Sequence, residues 1–234
     1  VLCRLRAERG LINTLAQWKL GPLYRLVPSI ARILVKMWLD YRLKSLSTVD
    51  AVQMLLRPLL TNMVSKTVRL SSNGLESLDP TASWLFVSNH RDIAMDPALT
   101  NHILHHSGHR TLAIAIGDNL LKERWVADLM RLNKSFIVKR TLSGPRELLA
   151  ASRQLAGFIR TMVTTNQGPV WIAQREGRAK DGIDTTEPAV IKMLSLARDR
   201  KTETIADVLP ALKIVPVAIA YELDPCDAAK AAEL

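Results

Sequence analysis

The chain has 234 residues, 48% hydrophobic, 23% charged and 5% aromatic, and its 32 Lys and Arg against 22 Asp and Glu give a formal net charge of +10. That apolar content excludes a disordered polycation, and the length suits one catalytic-sized domain with a small appendage better than two full domains. The longest run without a formal charge, 161–174, is shorter than the roughly 18 to 20 residues of a bilayer-spanning helix, which argues against a conventional transmembrane protein.

The chain begins at Val1, with no basic region, apolar run and small-residue cleavage site behind it, and reads as a fragment. Residues 11–66 predict helices. Leu26, Ile30, Leu34 and Trp38 recur at helical spacing, joined by Val27 and Val35, with Arg25, Arg32, Lys36 and Arg42 as cations and Trp18, Tyr24 and Tyr41 nearby. Pro28 marks the first turn, where its missing N–H is an orphan anyway. A second helix over 49–66 carries Val52, Leu55, Leu56, Leu59 and Leu60. Residues 1–66 thus read as an N-terminal segment containing an amphipathic helical hairpin, suited either to a lipid interface or to packing on the body of the protein.

From residue 67 to 234, short strand-like runs alternate with helical patterns. Strands are expected at 67–70, 84–88, 112–116, 135–138, 170–173 and 214–220, and helices at 97–106, 121–132, 145–164 and 188–198. The alternation predicts an α/β domain with a mixed, mostly parallel sheet flanked by helices, in which function collects in loops at the carboxyl ends of strands. Two cysteines, Cys3 and Cys226, match no metal-ligand spacing and favour a reducing, cytosol-facing location.

The polar clusters fall just after the strand candidates. Past residues 84–87 comes Ser88-Asn89-His90-Arg91-Asp92-Ile93-Ala94-Met95-Asp96-Pro97. A histidine beside a carboxylate is the composition of a general base and its orienting acid, since imidazole titrates near neutrality and a carboxylate fixes its tautomer. On one continuous helix His90 and Asp96 would lie on different faces, so the segment must turn if they are partners. The plainer reading makes Asp92 or Asp96 a helix cap. Lys139 and Arg140 end a strand and could together hold a phosphate, as could Arg175, Arg178 and Lys180 in the loop 174–182, where Gly177 and Gly182 permit tight turns and Glu176 could orient the cations. Pro216 has no ladder donor, which places its strand at an edge, at a bulge or at a pocket opening. His102, His105, His106 and His109 would line one helix face, but Ser107-Gly108 reads as a helix end; a solvated terminus is expected and no metal.

In their order these clusters resemble the four blocks of the glycerolipid acyltransferase family, which includes glycerol-3-phosphate and lysophosphatidic acid acyltransferases. The blocks correspond to His90 with Asp96, residues 136–140, Glu176-Gly177 with Arg178, and Val215-Pro216-Val217. The resemblance spans about 68–221. It departs in three places. Five residues separate His90 from Asp96 where four are usual, leaving Asp92 as a rival; Gln174-Arg175 stands where Phe-Pro is common; and Lys134 stands where the second block often starts with Gly.

The resemblance implies that His90, held by Asp96, deprotonates an acceptor hydroxyl that attacks the thioester of acyl-CoA or acyl-carrier protein, with no further cofactor. It implies that Arg140, Glu176, Gly177 and Arg178 position a glycerol-phosphate group, with Lys139, Arg175 and Lys180 as weaker candidates. An enzyme of phospholipid biosynthesis, peripheral or monotopic on the cytoplasmic face of a membrane, is the resulting expectation. Its partners are an anionic lipid surface, an acyl donor that includes the acidic carrier protein, and a glycerol-phosphate-type acceptor. The competing readings are a degenerate lipid-binding scaffold and a basic nucleic-acid-binding protein; few aromatics and dispersed cations count against the last.

Overall fold

The structure is a computed structural model that describes residues 1–121, 123–139 and 141–232. They form two compact units, one of Val1–Leu59 and Asn119–Ser135, the other of Leu60–Asp118 and Phe136–Leu234.

The first unit contains helices α1 (Leu2–Ala7), α2 (Arg9–Lys19), α3 (Gly21–Leu26) and α4 (Pro28–Leu43), the start of α5 (Val49–Thr67), and α7 (Arg124–Leu132). The two helices expected over 11–66 are α4 and α5, and Pro28 sits in the first turn of α4. Three shorter helices precede them, and α4 packs against these. Its buried stripe is Ala31, Val35 and Leu39, which joins Leu5, Leu11, Ile12, Ala16, Val52 and Leu132 in one core. Of the apolar residues marked in the sequence, Leu26, Val27, Ile30 and Leu34 are exposed, whereas Val35 is in the core and Trp38 packs against it. At 3.6 residues per turn, positions 31, 35 and 39 form a second stripe one residue round the helix, and small Ala31 admits the close approach of a neighbouring helix. Across the unit, Arg4 donates to both oxygens of the buried Asp128, at 3.1 and 2.9 Å. Arg4 holds that carboxyl below its ordinary range.

The second unit is an α/β domain. Strands β1 (Leu85–Ser88), β2 (Ala113–Gly117), β3 (Ser135–Val138), β4 (Val170–Ala173) and β5 (Ile214–Val217) form one sheet in the order β3-β2-β4-β1-β5. The pairs β1–β4, β1–β5 and β2–β4 are parallel. Strand alternation divides the core between the two faces. Leu85, Ala113, Val170 and Ile172 pack with Ile159 and Val163 of α8 (Pro145–Thr164) and Leu194 of α9 (Pro188–Ser195). Their neighbours Phe86, Ile114 and Trp171 pack on the other side with Leu104 of α6 (Met95–His106).

One strand expectation fails. Residues 67–70 form no strand, because the Val68 N–H still feeds the helical ladder of α5 through the Val64 carbonyl at 2.9 Å. The helix α10 (Ile205–Ala211) was not expected; a capping box, Thr204 with Asp207, starts it. Before it, Arg160 of α8 holds Glu203 by two bonds of 2.6 and 2.5 Å, which draws the Glu203 carboxyl down to about 2. The last described helix is α11 (Asp227–Ala231).

Candidate active site

Strand β1, which lies between β4 and the edge strand β5, ends at Ser88, and the chain leaves it in a non-helical turn before α6 begins at Met95. The turn that the sequence required is present. It brings His90 Nδ1 to 3.1 Å from Asp96 Oδ2, with His90 12% exposed and Asp96 fully buried. The same Oδ2 accepts the backbone N–H of Arg91 at 2.8 Å and of Asp92 at 2.9 Å. An Nδ1–H directed at the carboxylate leaves Nε2 as the basic nitrogen. Asp92 has a different set of partners: its Oδ1 accepts the N–H groups of Ala94 and Met95, at 2.9 and 2.8 Å, where the chain enters α6. Of the two carboxylates, Asp96 is the one that faces His90, and Asp92 binds backbone N–H groups at the start of α6.

The loop following β4 is stitched to this turn. Gln174 N–H donates to the Ser88 carbonyl at 2.7 Å, and Ala179 N–H donates to the His90 carbonyl at 2.8 Å. Arg91 reaches the Gly182 carbonyl at 3.0 Å, while Asn89 donates to Asp184 at 3.0 Å. The fold therefore brings the backbone of 174–184 against His90. Gly177, at φ +74°, makes a turn that a side chain would strain. Arg178 is half-buried, and Glu176 and Lys180 are exposed. Arg175 is half-buried, and its Nε is buried without a hydrogen-bond partner among the described residues.

The second block lies further away. Strand β3 is separated from β1 by β4 and β2, so Lys139 stands about three strand spacings, roughly 14 Å, along the sheet from the β1 terminus. Lys139 is exposed, and Arg140 lies outside the described residues. The fourth block is the edge strand β5, with Pro216 opposite Val87, where a missing N–H costs no ladder bond on the open side. Helix α6 ends before Ser107-Gly108, as expected from the sequence, so His109 falls outside it while the His102 and His106 rings lie 4.1 Å apart.

Several residues of the site carried no sequence signal of their own. Tyr221, past β5, donates its hydroxyl to Asp96 Oδ1 at 2.8 Å. Burial, and then the neighbouring Asp96 charge, hold its phenol well above the ordinary tyrosine range. Asn89 accepts the Ile219 N–H and donates to the Ile219 carbonyl, both at 2.8 Å. Asp224 accepts from Arg91 at 3.1 Å and from the buried Lys230. The ring of Trp171 stands edge-on to His90 at 6.2 Å. Single residues scattered over 219–230 match no spacing, and only the folded return of the chain to β1 assembles them.

Against known families, residues 69–220 match the family model described as Acyltransferase. No curated protein and no solved structure matches the chain.

Proposed function

We propose that this chain, which belongs to the acyltransferase family, moves a fatty acyl group from a thioester donor to the hydroxyl of a glycerol-phosphate or lysophospholipid acceptor in phospholipid biosynthesis. The observation that carries this reading is the 3.1 Å contact of His90 Nδ1 with Asp96 Oδ2 just past the end of β1. In the reaction, His90 Nε2 takes the proton of the acceptor hydroxyl as its oxygen attacks the thioester carbonyl. The tetrahedral intermediate expels the thiolate, which recovers that proton from the imidazolium, and Asp96 stabilises the imidazolium in between. The products are an ester and a free thiol, so the chemistry calls for no cofactor beyond the thioester co-substrate.

Arg140, Glu176, Gly177 and Arg178 position the acceptor's glycerol-phosphate group, with Lys139, Arg175 and Lys180 as weaker contributors. Anchoring the anionic end fixes the hydroxyl for attack, so these cations act mainly on acceptor binding. We also place the enzyme at the cytoplasmic face of an anionic membrane, on the strength of the apolar side chains that α4 exposes. No helix among the described residues is long and apolar enough to cross a membrane.

The test is release of free thiol from acyl-CoA and from acyl-carrier protein, over a panel of glycerol-phosphate and lysophospholipid acceptors. The wild-type chain turns over at least one pair, and His90→Ala lowers kcat by roughly 10²-fold or more while retaining the fold. Near-normal turnover by His90→Ala would overturn the assignment. Lipid binding without turnover by the wild type would leave a non-catalytic scaffold instead.

A further inference from the structure

We propose that Tyr221 is a positioning residue of the His90–Asp96 pair, its hydroxyl fixing the Asp96 carboxylate so that Oδ2 stays on His90. The proposal rests on the general-base role given to His90, and it adds a residue just beyond the segment 69–220 that matches the family model.

The argument starts from the two oxygens of Asp96. Oδ2 is shared by three donors, the N–H groups of Arg91 and Asp92 and the ring of His90, and the His90 contact is the longest of them. Donors at one oxygen do not fix the plane of a carboxylate, because its last torsion is soft. The donor at Oδ1 is Tyr221, at 2.8 Å. Asp96 is fully buried, so no bulk water replaces that donor easily.

Tyr221 is itself held in place. Asn89 binds the N–H and carbonyl of Ile219 as a neighbouring strand would, continuing the β1–β5 association past the last ladder pair. Beyond Tyr221, Asp224 pairs with Arg91 at 3.1 Å, and buried Lys230 donates to both Asp224 and the Arg91 carbonyl. The segment 219–230 therefore clasps residues 89–91 on either side of the hydroxyl. The charged groups around the phenol and the dyad are Asp96, Asp92, Asp224, Arg91 and Lys230.

A donor at Oδ1 competes with the imidazolium at Oδ2 for the same negative charge. Its removal leaves a buried oxygen unsatisfied, loosens the carboxylate plane and leaves more charge to retain the proton of His90. The expected result for Tyr221→Phe is a kcat lower by roughly 10- to 100-fold, the size of a hydrogen bond to a charged group, with KM within about two-fold. The acid limb of kcat/KM moves to higher pH. Site-specific 3-fluorotyrosine at 221 keeps the shape and strengthens the donor, so it moves that limb to lower pH. A purely structural role for the ring predicts neither displacement.

Wild-type kcat and an unmoved acid limb in both variants would overturn the proposal. His90→Ala, assayed in parallel, separates the two layers of inference. Loss of turnover there with an unaffected Tyr221→Phe sinks only the role of Tyr221, whereas turnover retained in His90→Ala removes the general base and this proposal with it.

Discussion

Asp92 and Asp96 stand four residues apart and differ in what their carboxylates touch. Asp92 accepts two backbone N–H groups at the start of α6, and an asparagine keeps one oxygen able to do the same. Asp96 is bound on both oxygens and faces an imidazole that, in the reaction proposed, becomes cationic during proton transfer; an asparagine there would remove the charge and disturb the tautomer. Asp92→Asn should retain turnover within a few-fold, and Asp96→Asn should lose on the order of 10²-fold or more in kcat, read by thiol release. Equal activity in the two variants would remove the dyad. In the sequence, His90 and both aspartates are recognisable as candidates, and helix geometry requires a turn between His90 and Asp96 if they pair. The choice between the two carboxylates was not legible, because it depends on which backbone amides the turn presents to each. Tyr221 was not legible at all: its partner is 125 positions distant in the chain.

At the scale of elements, legibility followed the strength of local pattern. The strands at 135–138 and 170–173 and the helix at 145–164 coincide with β3, β4 and α8, whose apolar runs end at evident turn or cap residues. The run 67–70 looked extended only because nothing local marks where α5 stops. Helix α10 leaves no periodic trace in the sequence because it is only 7 residues long. Lys134, just before β3, joins pattern to energetics. It stands where the resembled family often has glycine, and it adopts the left-handed backbone that glycine favours, with φ 57°. A side chain in that region costs about 1 to 2 kcal/mol, partly offset by the entropy that glycine adds to the unfolded chain. The ion pair of Lys134 with Asp50 spans 2.8 Å, but Asp50 is 76% exposed, and such pairs contribute little. Lys134→Gly should therefore stabilise the protein by about 0.5 to 1 kcal/mol in equilibrium urea unfolding. A destabilised variant would mean that interactions of the lysine outweigh the backbone strain.

For the whole molecule, the net charge of +10 becomes informative once divided between the two units. In the second unit, Arg175, Arg178 and Lys180 lie on the loop whose backbone is bonded to the turn of His90. In the first, Arg25, Arg32, Lys36 and Arg42 are exposed along the same stretch as Val27, Ile30, Ile33, Leu34, Met37 and Tyr41. Part of that cationic charge is engaged locally, since Lys36 pairs with Asp40 at 3.1 Å. In the membrane contact proposed, electrostatic attraction to lipid headgroups would thus be moderate, and apolar insertion would have to supply much of the binding. Ile33 and Met37 are 58% and 63% exposed and sit one helical turn apart, away from the buried stripe of Ala31, Val35 and Leu39. Replacing both with aspartate forbids insertion and adds repulsion, without touching the core. Sedimentation with vesicles containing anionic phospholipid should show binding of the wild-type chain that weakens as salt rises, and about ten-fold or greater further loss in Ile33→Asp/Met37→Asp. Undiminished binding of the double variant would show that α4 is not the membrane-facing element; weak binding that salt alone abolishes would reduce the contact to charge.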